Sequence, residues 1–175
     1  MQISLVLIVI GNDRPGIVES LAGQIAAVGA NWEESRMARL AGKFTGLLRV
    51  SVDDTRAADL ETRLSSLAAG GLTVVVERSQ EPSAPPRQAL QLELVGNDRP
   101  GIVRDVSRVL ADQQINIDEL QTEVVRAPMS GELLFRASAR LNAPPAVTLD
   151  ALRQQLESLA GELMVDLDVD SADEP

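Results

Sequence analysis

The chain has 175 residues, 45% hydrophobic and 24% charged, enough to bury one large or two small cores. Sixteen basic against 26 acidic side chains give a formal charge of -10, so direct binding to nucleic acid is not expected. Cys, His and Tyr are absent, which excludes thiol nucleophiles, imidazole bases, Cys/His zinc sites and disulfides, and with one Trp and two Phe any core must be aliphatic.

The opening Met1 to Ile10 is apolar, but it lacks a basic leader and a small-residue cleavage site, and Gly11-Asn12-Asp13-Arg14 interrupts it. It reads as a buried strand. No segment reaches the roughly 18 uninterrupted apolar residues of a membrane span, and the expected location is the cytoplasm.

Residues Gly11-Asn12-Asp13-Arg14-Pro15-Gly16-Ile17-Val18 recur unchanged as Gly96-Asn97-Asp98-Arg99-Pro100-Gly101-Ile102-Val103. At the same offset Leu5, Leu7 and Val9 fall on Leu90, Leu92 and Leu94. Two copies of one unit therefore fill the chain. Residues 79–88, rich in proline and small polar residues, suit a linker between units at 1–78 and 89–170, with 171–175 an acidic tail.

Each unit opens with a strand. In the second, Leu90, Leu92 and Leu94 alternate with polar residues; in the first, Val6, Ile8 and Ile10 make the other face apolar too, so that face is expected to meet another surface. Helices follow, with Pro15 and Pro100 suited to the first turn, Asp13 and Asp98 placed to meet unpaired amides, and stripes at Ile17, Val18, Leu21 and Ile25 and at Ile102, Val103, Val106 and Leu110. Gly29 suits a left-handed helix end, whereas Gln114 adopts that conformation less cheaply.

Second strands are expected near Trp32 and Ile117. Third strands carry Phe44, Gly46, Leu48, Val50 and Val52, or Leu133, Phe135, Ala137, Ala139 and Leu141, with about four extra residues in the second hairpin. Helices at Leu60, Leu64 and Leu67 and at Leu152, Leu156 and Leu159 precede the last strands, Leu72 to Val76 and Leu163 to Val169. The predicted fold class is α+β: two ferredoxin-like βαββαβ units, each a four-stranded antiparallel sheet with two helices on one face and the first and third strands central. Trp32 is expected as a core or interface anchor.

The doubled Gly-Asn-Asp-Arg-Pro-Gly-Ile-Val turn after a buried strand, with Asn31 or Asn116 opening the next strand, resembles the ACT regulatory domain. Two such units with no attached enzyme are similar to the glycine cleavage system transcriptional repressor family. The resemblance implies sensing of a small amino acid, glycine or serine first, contact with a regulatory protein partner, and no cofactor. It places ligand binding near the turns and often against a neighbouring domain.

The turns suit that chemistry, because a helix N-terminus presents outward amides and a dipole that favours a carboxylate. Gly16 and Gly101 keep the backbone approachable, Gly11 and Gly96 open the two candidate stretches, and Asn12 and Asn97 offer amide contacts. Asp13 and Asp98 can accept from an ammonium group, Arg14 and Arg99 can pair with a carboxylate, and Pro15, Ile17, Pro100 and Ile102 complete the two turns. The bland alternative is a capped turn with solvated arginines.

Other patterns carry less. Gly11-x4-Gly16 looks like a phosphate loop, but Ile17-Val18 replace its Lys-Ser/Thr. Asp166, Asp168 and Asp170 suit a solvated edge better than a metal site. Glu33-Glu34 and Asp118-Glu119 are expected to point to opposite faces, which argues against paired-acid catalysis. The expected protein is non-enzymatic, a ligand-responsive regulator forming a homodimer, or else a constitutive interaction module with no ligand. Side-by-side and face-to-face packing of the sheets stay open.

Overall fold

The computed structural model describes residues 1–79, 87–127, 131–163 and 165–171. It divides into two compact units, Met1–Ser83 and Ala84–Pro175. The first unit runs β1 (Gln2–Asn12), α1 (Ile17–Ala27), β2 (Asn31–Leu40), β3 (Lys43–Asp53), α2 (Ala57–Ser66) and β4 (Leu72–Arg78). The second repeats the order as β5 (Gln88–Asn97), α3 (Ile102–Asp112), β6 (Asn116–Arg126), β7 (Leu133–Ala143), α4 (Leu149–Leu163) and β8 (Val165–Ser171). Each unit holds one antiparallel sheet, ordered β2-β3-β1-β4 or β6-β7-β5-β8, with the first and third strands central.

Alternation along the central strands builds the cores. Leu5, Leu7 and Val9 of β1 and Leu48, Val50 and Val52 of β3 are buried against Ile17, Leu21 and Ile25 of α1 and Leu60 and Leu64 of α2. Leu90, Leu92 and Leu94, Ala139 and Leu141, Ile102, Val106 and Leu110, and Leu152 and Leu156 do the same in the second unit. Non-directional burial of aliphatic surface holds both, and no charged or polar residue joins either core among the described residues. Trp32 and Phe44 are half-buried against the first core, as an anchor at that position should be.

The opposite sheet faces differ. In the first sheet Ile8 lies between Leu47 and Val75, and these three with Ile10 are 43–49% exposed. The matching row in the second sheet is Asp168, Glu93 and Ser138. One copy leaves an apolar strip where the other has acceptors and charge.

Several local expectations are corrected. Both helices begin two residues after their proline, because Gly16 (φ 85, ψ 4) and Gly101 (φ 98, ψ -6) hold the left-handed position of a type II turn with proline before them. Val18 and Val103, expected in the buried stripes, are 47% and 42% exposed. Gln114 does take the left-handed position expected to be costlier for it, at φ 56, and makes the bonds that Gly29 makes at φ 70: Gln114 N–H donates to Ala111 and Ile115 N–H to Leu110. The second hairpin is six residues longer, not four, since Phe44 and Phe135 pair with Gly11 and Gly96, 91 against 85 residues apart.

Bulges at Trp32/Glu34 and Ile117/Glu119 upset the expected alternation of the acidic pairs. Glu33 and Glu34 both reach Arg49, at 3.4 and 3.8 Å. Asp118 instead accepts from Asn116, and Glu119 pairs with Arg140 at 2.9 Å. Arg87 donates to the Asn142 carbonyl at 2.8 Å and Gln88 to the Val147 carbonyl at 2.5 Å, so the end of the expected linker is tied to the second unit. Most of that linker, residues 80–86, and the tail beyond Ser171 lie outside the described residues, as does the side chain of Asp166.

Candidate functional site

Each repeated turn joins a central strand to the first helix. Gly11 and Asn12 end β1, Asp13 to Gly16 form the turn, and Ile17 opens α1; Gly96 and Asn97, Asp98 to Gly101, and Ile102 do the same in the second unit. Ile17 and Ile102 are buried anchors, while Asn12 to Gly16 and Asn97 to Pro100 are exposed. Gly11 has a steric reason: a Cβ there would stand 2.8 Å from the Gly71 carbonyl oxygen.

The main-chain donors divide sharply. Asp13 N–H is spent on the Gly42 carbonyl at 3.0 Å and Asp98 N–H on the Leu133 carbonyl at 2.9 Å. The N–H groups of Gly16, Ile17 and Val18, and of Gly101, Ile102 and Val103, have no acceptor among the described residues. Neither aspartate caps its helix, since each lies three residues before the cap and the glycine cap receives no side-chain bond. The unpaired amides thus keep their capacity for a carboxylate.

Side chains around the two identical turns are unlike. In the first, Lys43 donates to the Asn12 side-chain oxygen at 2.6 Å, Arg39 lies 3.4 Å from the Asp13 carboxylate, and Arg14 donates to the Gly70 carbonyl at 3.4 Å. The register puts Leu134 where Lys43 stands and Val124 where Arg39 stands. Asn97, Asp98 and Arg99 accordingly make no side-chain bond among the described residues, and the nearest ion pair is Arg104 with Asp105 at 2.9 Å. Across the strands the first turn faces cations and the second faces aliphatic groups, while beside Gly101 the Arg104 guanidinium and the Asp105 carboxylate stand 3.2 and 3.7 Å from where a Cβ would be. Sequence reasoning found the turns but missed Arg39, Lys43, Val124 and Leu134, because strand register, not chain proximity, brings them there.

An apolar cleft of about 30 Å³ opens beside the second turn, between α3 and the inner face of β6 and β7. Ile102 and Val103 belong to both turn and cleft. Among the described residues no three acidic side chains gather as a metal would need, and no helix is long and apolar enough to cross a membrane.

Residues 4–77 and residues 90–160 each match the ACT domain, which covers most of both units. The chain belongs to the ACT domain family. Over 165 residues it is 27% identical to the glycine cleavage system transcriptional repressor of Escherichia coli (strain K12), covering 91% of this chain and 85% of that one. A crystal structure of an unknown protein from Galdieria sulphuraria superposes with a TM-score of 0.89 and 32% identity, covering 99% of this chain and all of that one. A UPF0237 protein of Methanopyrus kandleri (strain AV19) is 34% identical over 80 residues, 46% of this chain and 83% of its own length. This is a regulatory tandem ACT-domain protein related to the glycine cleavage repressor.

Proposed function

We propose that this protein is a non-catalytic cytoplasmic regulator, with ACT domains at 1–78 and 89–170, that binds a small amino acid at its turns and modulates a partner regulatory protein in the transcriptional control of amino-acid metabolism. The observation that carries the reading is the repeated set of helix-opening amides without protein acceptors, flanked by Asp13 and Arg14 or by Asp98 and Arg99. A zwitterion supplies what each turn lacks: its carboxylate takes the amide donors and its ammonium group a carboxylate. Glycine and serine are the first candidates, by analogy with the repressor-named relative.

Calorimetry on the whole chain with each of the twenty amino acids tests this. Heat of binding from at least one, lost when Gly16 and Gly101 are both replaced by Val, is the expected result. No heat and no thermal shift from any of them refutes it.

A second reading, in which assembly is constitutive, draws on the exposed strip of Ile8, Ile10, Leu47 and Val75, which suits a homodimer interface. Sedimentation with and without amino acids separates the two: unchanged assembly and no ligand heat together favour the constitutive module.

A further inference from the structure

The outer face of the first sheet is arranged symmetrically about β1. Val6, Ile8 and Ile10 stand along that strand on the side away from the helices, and the register sets a residue of β3 and a residue of β4 beside each. Val6 lies between Arg49 and Glu77, Ile8 between Leu47 and Val75, and Ile10 between Thr45 and Thr73. Each row is thus a matched pair across β1: cation with anion, aliphatic with aliphatic, hydroxyl with hydroxyl. Glu77 is exposed and its carboxylate has no partner among the described residues, while Arg49 is held beside Glu33 and Glu34 with a guanidinium fork that can serve more than one carboxylate.

A twofold axis laid between two such faces, along β1, uses that matching. It sets β1 against its own copy and exchanges β3 with β4, which flank it on either side. Ile8 then meets the partner's Ile8, Leu47 the partner's Val75, Thr45 the partner's Thr73 and Arg49 the partner's Glu77, each unlike contact occurring twice as an isologous interface requires. Sheets packed face to face lie about 30° apart, so at two residues from Ile8, about 7 Å along the strand, facing positions are displaced by roughly 3 Å, which Arg and Glu side chains span. With the axis laid across the strands instead, Arg49 faces Thr45 and Glu77 faces Thr73, and no charge meets its opposite. In the second sheet an axis along β5 carries Glu93, flanked by Asp168, onto its own copy, so like charges meet at the centre.

We infer that two copies of this chain pair face to face through their first sheets, about a twofold axis along β1, with Ile8 at the centre and Arg49 of each copy paired with Glu77 of the other. The inference rests on the homodimer reading of the exposed strip and adds which residues face which. Burial of the strip supplies affinity without direction, and the two crossed charge pairs fix the orientation.

Sedimentation of the full chain and of two single variants, Arg49→Glu and Glu77→Arg, each alone and the two mixed in equal amounts, decides it. Either variant alone brings like charges together at both pairs and is expected to weaken the dimer roughly tenfold or more. In the mixture a copy with two acids meets a copy with two bases, both crossed pairs are restored, and dimerisation is expected to return to the level of the unsubstituted chain. Damage to the fold of one copy cannot produce that rescue. Should circular dichroism show Arg49→Glu unfolded, with a third acid beside Glu33 and Glu34, the exposed row carries the test: Thr45→Lys mixed with Thr73→Glu is expected to give mixed dimers in excess of the statistical proportion by native mass spectrometry. A dimer that the folded variants leave unchanged, or mixtures without rescue or excess, overturns the inference while leaving the homodimer reading standing. A chain that stays monomeric at every concentration removes both.

Discussion

Two alanine substitutions in the first turn separate backbone strain from lack of space. At Gly16 a new Cβ meets nothing within 4 Å, so the cost of Gly16→Ala lies in the left-handed conformation alone, φ 85. That costs roughly 1–2 kcal/mol, offset by about 0.4–1 kcal/mol from restricting the unfolded chain, a net loss near 1 kcal/mol. Gly11 has no such strain, but its Cβ would lie 2.8 Å from the Gly71 carbonyl oxygen and 3.0 Å from Leu72 Cδ1. Neither the carbonyl nor the Cα of Leu72, at 3.4 Å, can swing aside, so β4 must shift where Gly11 pairs with Leu72. Overpacking of this kind costs about 1–3 kcal/mol. Urea unfolding followed by fluorescence reads the first unit selectively, because Trp32 is the only tryptophan in the chain. With a slope near 1 kcal/mol/M for a unit of this size, Gly16→Ala should lower the midpoint by roughly 1 M and Gly11→Ala by roughly 1–3 M. A Gly11→Ala midpoint at or above that of the unsubstituted protein would refute the assignment of Gly11 to close approach.

Gln114→Gly removes a left-handed non-glycine residue at φ 56 and should raise the stability of the second unit by about 1 kcal/mol, read by calorimetric unfolding; a loss would mean the glutamine side chain holds the helix end. Asp53 accepts from the hydroxyl of Thr55 at 2.7 Å and from its N–H at 3.0 Å and lies 3.5 Å from the Met1 amino group, which together hold its carboxyl below the ordinary value. A depressed folded value contributes stability above the unfolded pKa and loses it as pH falls through the folded one, so the unsubstituted protein should weaken below about pH 4 more steeply than Asp53→Asn; parallel profiles would refute this. Ile8→Lys places a charge in the exposed strip of the first sheet and should convert a homodimer to monomer in sedimentation, with the monomer fold intact by circular dichroism; a dimer that survives uses another surface.

The duplicated order of elements, the central strands and the core were legible because alternation and helical stripes follow directly from burial. Leu5, Leu7 and Val9, and Leu60 and Leu64, needed no tertiary knowledge. The helix starts were misread by two residues because proline suits both a first helical turn and the second position of a type II turn, and only the glycine φ decides between them. The facing of Glu33 and Glu34 was lost for a different reason: a bulge adds a residue without any marker in composition, and period-two reasoning fails across it. At the candidate site the turns were visible as an exact repeat, but their neighbours were not. Allowing four extra residues in the second hairpin where there are six sets Phe44 against Leu133, which hid the correspondence of Leu48 with Ala139.

That pattern of identity and difference has a physical basis. Eight residues are held in common where the main chain is constrained: a left-handed glycine, a proline that presets the turn before it, and an isoleucine that fills the core beneath. The positions that differ, Arg39 and Val124, Lys43 and Leu134, Leu48 and Ala139, lie across strands and leave the turn's backbone unaltered. Duplication can therefore keep one set of amide donors while giving each copy a separate electrostatic and steric surrounding. A carboxylate placed at the first turn would meet Arg14, Arg39 and Lys43, whereas one placed at the second would meet Arg99 and the Arg104–Asp105 pair, whose acid offsets its base. Affinity at the first turn should fall more steeply with salt than at the second, because cation attraction at exposed groups is screened. Two ligand isotherms that respond alike to salt would show that these surroundings do not reach the bound molecule.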